Sequence, residues 1–208
     1  MNKGKLVTHQ KTALTAVIGS ILFAAVFTLE GIFRDSYDPR SMYISALSLG
    51  PRGWIQSINF LVLGMLLFLF TRGVSRDLQT EKVGQSGLLL LRVIAVLFAV
   101  SGLFAMDPSG TSPGQTTVGG LIHALAGGFV FLLMPISMFV FLRYFRNVPG
   151  WQPMRFWTIL LGSTEAVAVL VFTLVSKVPA LQREVSPWMG LVQRSALMPF
   201  LLWWFIFG

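Results

Sequence analysis

The stretch LFAMDPSGTSPGQTTVGGLIHALAG, residues 103–127, holds a carboxylate and an imidazole at the borders of two apolar runs: Asp107 leaves one, and His123 lies just inside the next. An imidazole oriented by a carboxylate is the arrangement of a general base. An imidazole by itself ligates a metal or relays a proton. The structural alternative is a histidine bonded to a neighbouring helix, with Asp107-Pro108 simply ending one segment and starting a turn. Glu30, Gln56, Asn59, Gln193 and Arg194 also fall inside or at the ends of apolar segments, and Glu165 falls near the middle of one. A carboxyl at that depth is desolvated, which favours its neutral acid; it either ties two helices together or carries a proton. Arg194 is expected to pair with Asp107 or Glu30, or to bind an anionic headgroup.

Several chemistries lack their residues. The chain has no cysteine and two histidines, of which His9 lies in the polar N-terminal stretch. Haem held by two histidines needs a second one within the membrane, and catalytic zinc needs two or three His or Cys ligands. Oxygen ligands for Ca²⁺ or Mg²⁺ exist in Asp107, Asp38 and Glu30, but in no recognised spacing. The expectation is no cofactor and no metal site. GxSxG is absent, and neither GPRG nor GTSPG has the strand–helix setting of a phosphate loop.

The elements that position these residues follow from composition. Of 208 residues, 54% are hydrophobic and 12% charged, about half the charged share of a soluble domain. Six segments satisfy the requirement of about 20 mostly apolar residues per span: 12–33, 54–71, 86–105, 118–142, 156–176 and 189–207. The expected fold is all-α: one six-helix transmembrane domain over 1–208, its first span uncleaved. The net charge of +8 is spread over the connections, which fits topology rather than nucleic acid. The N-terminal tail and the second and fourth loops carry nine Lys and Arg; the first, third and fifth loops carry five. Both termini are therefore expected in the cytoplasm, and most polar residues in the outward half.

Helical phase puts His123 on a stripe with Gly119, Gly120 and Gly127, the kind of face that packs against another helix, and roughly 7–8 Å into its span. In the first outward loop, Asp38-Pro39 reads as a helix start and Gly50-Pro51 as a stop, predicting a short interfacial helix over the mouth of the bundle.

The stretches LEGIFRDSYDPRSMYISALSLGPRGWIQSINFLVLG, GLFAMDP, GGLIHALAG and GLVQRSALMPFLLWW resemble the bacterial integral-membrane family known as domain of unknown function 998, from about Gly19 to the C-terminus. The family pattern is matched by Tyr37, Asp38 and Pro39, by Ser45 and Leu47, and by Asp107, Pro108 and His123. The resemblance implies a membrane protein and supplies no reaction. The combined expectation is an outward-facing polar cavity lined by Glu30, Tyr37, Asp38, Ser45, Asn59, Asp107, His123 and Arg194. It would bind a small or lipid-like ligand, in a bacterial inner-membrane protein whose partners are membrane lipids. Two alternatives remain. One is an enzyme acting on a lipid headgroup, with His123 as base and Asp107 orienting it. The other is an accessory or scaffolding subunit.

Overall fold

The computed structural model describes residues 3–75, 82–148 and 150–208. Arg76 of the charge count lies outside them. Five long helices are α1 (Lys3–Phe33), α2 (Gly53–Val74), α3 (Lys82–Leu103), α4 (Val118–Asn147) and α5 (Pro153–Lys177). Three shorter ones follow: α6 (Pro179–Val185), α7 (Met189–Ser195) and α8 (Met198–Phe207). Six stretches are long and apolar enough to cross a membrane, α6 to α8 together forming the sixth. Some helices exceed the apolar runs that predict them. The 30 residues of α4 extend about 45 Å, against about 30 Å of hydrocarbon, so its basic end projects beyond the apolar zone.

Each helix packs on its neighbour in sequence from α1 to α5; α8 then packs against α5 and α1 and closes the ring. The α2–α3 seam is the tightest. A Cβ on Gly64 would lie 2.4 Å from the Ala95 carbonyl, so only glycine lets the two backbones approach this closely. The centre is aromatic: Phe70, Phe141, Phe145, Phe200, Trp203 and Trp204 are fully buried. Leu125 and Phe129, off the His123 stripe, are half exposed on the outer wall where lipid would cover them.

Two elements differ from the sequence reading. The span 189–207 is not continuous. It breaks at Ala196-Leu197, because Pro199 has no N–H to return to the preceding turn and the helix must restart. The first loop contains a turn at Pro39–Ser41 and then a 3₁₀ segment, Ile44–Ser48, in place of an interfacial helix beginning at Asp38. Ile44, Ala46, Leu47 and Ser48 are buried, so the segment plugs the end of the ring rather than lying over it. Two arginines hold this irregular loop by its carbonyls. Arg34 donates to the carbonyls of Leu47 and Leu49, and Arg194 to those of Pro39 and Met42.

Candidate functional site

Asp107 and His123 are brought to the same hairpin but do not touch. Each caps a different helix end. Thr117 precedes α4, and its hydroxyl accepts from the Gly120 N–H at 2.9 Å. Asp107 in turn accepts from the Thr117 N–H at 2.9 Å and from its hydroxyl at 2.7 Å, completing the N-terminus of α4. A Cβ on residue 120 would sit 2.1 Å from Asp107 Oδ2, so the second glycine of the Gly119-Gly120 pair makes room for this carboxylate. Two helix positions with a small side chain look like a helix-packing stripe; here one of them is the floor of a cap.

His123 closes the opposite end. Its Nδ1 lies 2.7 Å from the Phe104 carbonyl and 3.2 Å from that of Ser101, at the C-terminus of α3. Both partners are acceptors only, so Nδ1 carries a proton, and in the neutral imidazole Nε2 holds the lone pair. The ring is 6% exposed and packs edge-on against Phe60, with centroids 6.1 Å apart. It borders a cavity of about 30 Å³ under the plug, together with Ser45, Phe60, Ser101, Gln193 and Leu197. That volume holds one or two waters, not a lipid.

The remaining outward residues are spread over four other places. Arg194 has no carboxylate partner among the described residues. Its Nη1 donates to the carbonyls of Pro39 at 2.7 Å, Gly190 at 2.9 Å and Met42 at 3.2 Å, and its Nη2 donates to the Tyr37 hydroxyl at 2.7 Å. Tyr37 passes the bond on to the Tyr43 carbonyl at 3.0 Å. Burial pushes the Tyr37 phenol above its usual pKa despite the adjacent guanidinium, so it stays a neutral hydroxyl able to do both. The Gln193 side-chain oxygen accepts from the Ile44 N–H at 2.7 Å. Gly190 is required at this contact, since a Cβ there would lie 2.4 Å from the Met42 carbonyl. One turn of α7 thus clasps the first loop.

Asp38 is exposed and caps only its own turn, accepting from the Arg40 N–H at 3.0 Å and the Ser41 hydroxyl at 2.6 Å. Those bonds, the Ser41 hydroxyl foremost, hold its carboxyl below the usual aspartate range. Glu30 forms an ion pair with Arg52, and its second oxygen is buried without a partner among the described residues. Asn59 donates to the Phe23 carbonyl at 3.2 Å and stitches α2 to α1. Glu165 is buried between α5 and the break in the sixth span. Its Oε2 accepts from the Phe200 N–H at 3.0 Å, on the first turn of α8, while Oε1 has no partner among the described residues. Beside it, Trp203 Nε1 donates to Thr158 Oγ1 at 2.8 Å. No three His, Cys, Asp or Glu converge among the described residues.

Sequence reasoning counts Arg34 and Arg52 only as loop charges and passes over Thr117. The signal for Thr117 is present, a hydroxyl residue directly before an apolar helix. The Gly190/Arg194 clasp has only an i, i+4 spacing to announce it, which many helices share.

A family model described as protein of unknown function (DUF998) matches residues 17–208. No curated protein and no solved structure matches the chain.

Proposed function

The chain belongs to the DUF998 family of proteins of unknown function, and from that membership and the geometry around His123 we propose a ligand-binding protein of the bacterial inner membrane. Its site is the cavity at His123, and it opens to the outer side. The observation that carries this reading is the imidazole. Its Nδ1–H is committed to α3 carbonyls, so a bare Nε2 acceptor remains on a residue that borders a cavity. A hydroxyl or ammonium group is the chemistry it would receive. At about 30 Å³ the cavity admits such a ligand only when the plug at Ile44–Ser48 moves aside.

Catalysis by an Asp–His pair is disfavoured, because the Asp107 carboxylate is engaged by Thr117 and does not orient the imidazole. A second reading has its own support. Asp107, Asn59, Glu165 and Arg194 all brace backbone groups, as an accessory subunit with a purely structural polar set would have them. His123→Gln separates the two. Glutamine can still donate to the Phe104 carbonyl, but its amide oxygen sits on a flexible chain and not at the fixed ring position of Nε2. Purified in mild detergent and analysed by mass spectrometry, the wild-type protein should retain a small molecule or lipid that folded His123→Gln loses. Identical bound species in both proteins would remove the ligand reading and leave the accessory one.

Orientation has a direct test. The nine-to-five distribution of Lys and Arg supports an orientation with the termini and the α4–α5 turn in the cytoplasm. Reporter fusions near Arg146 should read cytoplasmic, and fusions near Ser112 external. The opposite pattern would turn the His123 cavity towards the cytosol.

A further inference from the structure

We propose that the groove between α1 and α2 is a phospholipid site, with Arg52 holding the phosphate and one acyl chain lying along Leu22, Val26, Ile58 and Val62. This site is separate from the His123 cavity. It has a volume of about 210 Å³, seven times larger, and it opens through the outer wall of the ring rather than beneath the plug. Its walls are almost wholly apolar, and their outer rim is unpartnered: Trp54 is 62% exposed and Ile58 49%.

What identifies the occupant is the end of the groove. Leu22, Val26 and Glu30 follow one another at i, i+4 along α1, so they share a face. Arg52 immediately precedes α2, whose Ile55, Asn59 and Val62 line the facing wall. The Arg52–Glu30 ion pair therefore closes the groove about 6 Å, one helical turn, beyond Val26. Of this pair the glutamate side chain is 9% exposed, whereas the arginine side chain is 52% exposed. Among the described residues only one of its guanidinium nitrogens has a partner, and half of the side chain is open to a ligand. Arg34, held beside the same loop by the Leu47 and Leu49 carbonyls, adds a second guanidinium nearby. Trp54 stands at the junction of polar end and apolar trough, where an amphipathic ring favours the headgroup boundary. A half-exposed guanidinium one turn above an apolar trough fits a phosphodiester carrying a hydrocarbon chain. A free phosphate would leave the trough empty, and a neutral glyceride would offer no anion to the guanidinium nitrogens that Glu30 does not engage.

The experiment is native mass spectrometry of the full chain in micelles containing phosphatidylglycerol and a diacylglycerol with the same acyl chains. The wild-type protein should retain phosphatidylglycerol at least about tenfold over the diacylglycerol, as expected for a charge-assisted headgroup contact. Arg52→Gln should bring that ratio close to one. Val26→Trp, which fills the trough, should lower retention of both lipids. Arg40→Gln should leave the ratio unchanged, because that guanidinium lies over Trp188, 4.8 Å from its ring centre, outside the groove. Should Arg52→Gln alone fail to fold with Glu30 left unpaired, Glu30→Gln/Arg52→Gln tests the same point with a neutral pair. A wild-type ratio near one overturns the assignment. So does wild-type retention by the Arg52 or Val26 variants, or an equal loss in Arg40→Gln. A two-chain species that Val26→Trp dissociates would give the groove to a second copy and would overturn it as well.

Discussion

Replacing Arg194 by alanine should free the first loop from the bundle and lower stability by about 2–4 kcal/mol. The figure follows from four hydrogen bonds made by one charged side chain, each of the kind worth about 1.5–3 kcal/mol alone and less when several share a group. Arg194→Lys should recover little of the loss. The ammonium is a single point of donors, and here two guanidinium nitrogens reach in different directions, one to three carbonyls and the other to the Tyr37 hydroxyl. Thermal unfolding in detergent gives the size of the effect, and limited proteolysis gives its place: new cleavage should appear between residues 35 and 43. Arg40→Gln is the comparison, since an exposed guanidinium over Trp188 is worth about 0.5–1 kcal/mol. A first loop that stays protected in Arg194→Ala would show that Arg34 and the buried Ile44–Ser48 segment hold the plug without the clasp.

The same contact explains how far the site could be read from sequence. Apolar runs locate the spans because lipid makes apolar length a physical requirement, and the structure has six helical stretches long and apolar enough to cross a membrane. Polar residues in such runs are correctly marked as needing partners. The partners are less legible. Residue types suggest side-chain partners, Asp107 for His123 and Asp107, Glu30 or a headgroup for Arg194, with a neighbouring helix as the other reading of His123. In the fold, His123, Arg194, Asn59 and Glu165 bind main-chain groups, and Asp107 binds Thr117 through both its N–H and its hydroxyl. A backbone carbonyl has no letter in the sequence. Main-chain groups come free mostly where a helix ends: the Phe104 carbonyl lies just past α3, and the Thr117 and Phe200 N–H groups lie at the starts of α4 and α8, while the Phe23 carbonyl bound by Asn59 lies within α1. The sequence reading takes 189–207 as one span and misses the break before α8; Pro199 is its signal, but Pro135 sits within α4 without ending it, so the residue type alone does not announce the break.

That break gives the second large effect. Glu165→Leu should cost about 2–4 kcal/mol, because it leaves the Phe200 N–H buried without an acceptor. Glu165→Gln keeps a carbonyl oxygen where Oε2 now accepts that N–H, and should cost less than about 1 kcal/mol if the carboxyl serves only as an acceptor at the restart of the helix. The two substitutions therefore separate an acceptor from a charge. Thermal unfolding of both variants in detergent supplies the comparison, with Thr158→Val, which removes the acceptor of Trp203 Nε1, as a neutral brace between the same two helices. Leucine damaging and glutamine near wild type would assign Glu165 to the architecture of the sixth span. Glutamine as damaging as leucine would mean that the carboxyl group itself, as acid or carboxylate, is needed. The partnerless Oε1, buried beside the positive end of α8, would then be the atom through which the carboxylate serves a proton or a cation.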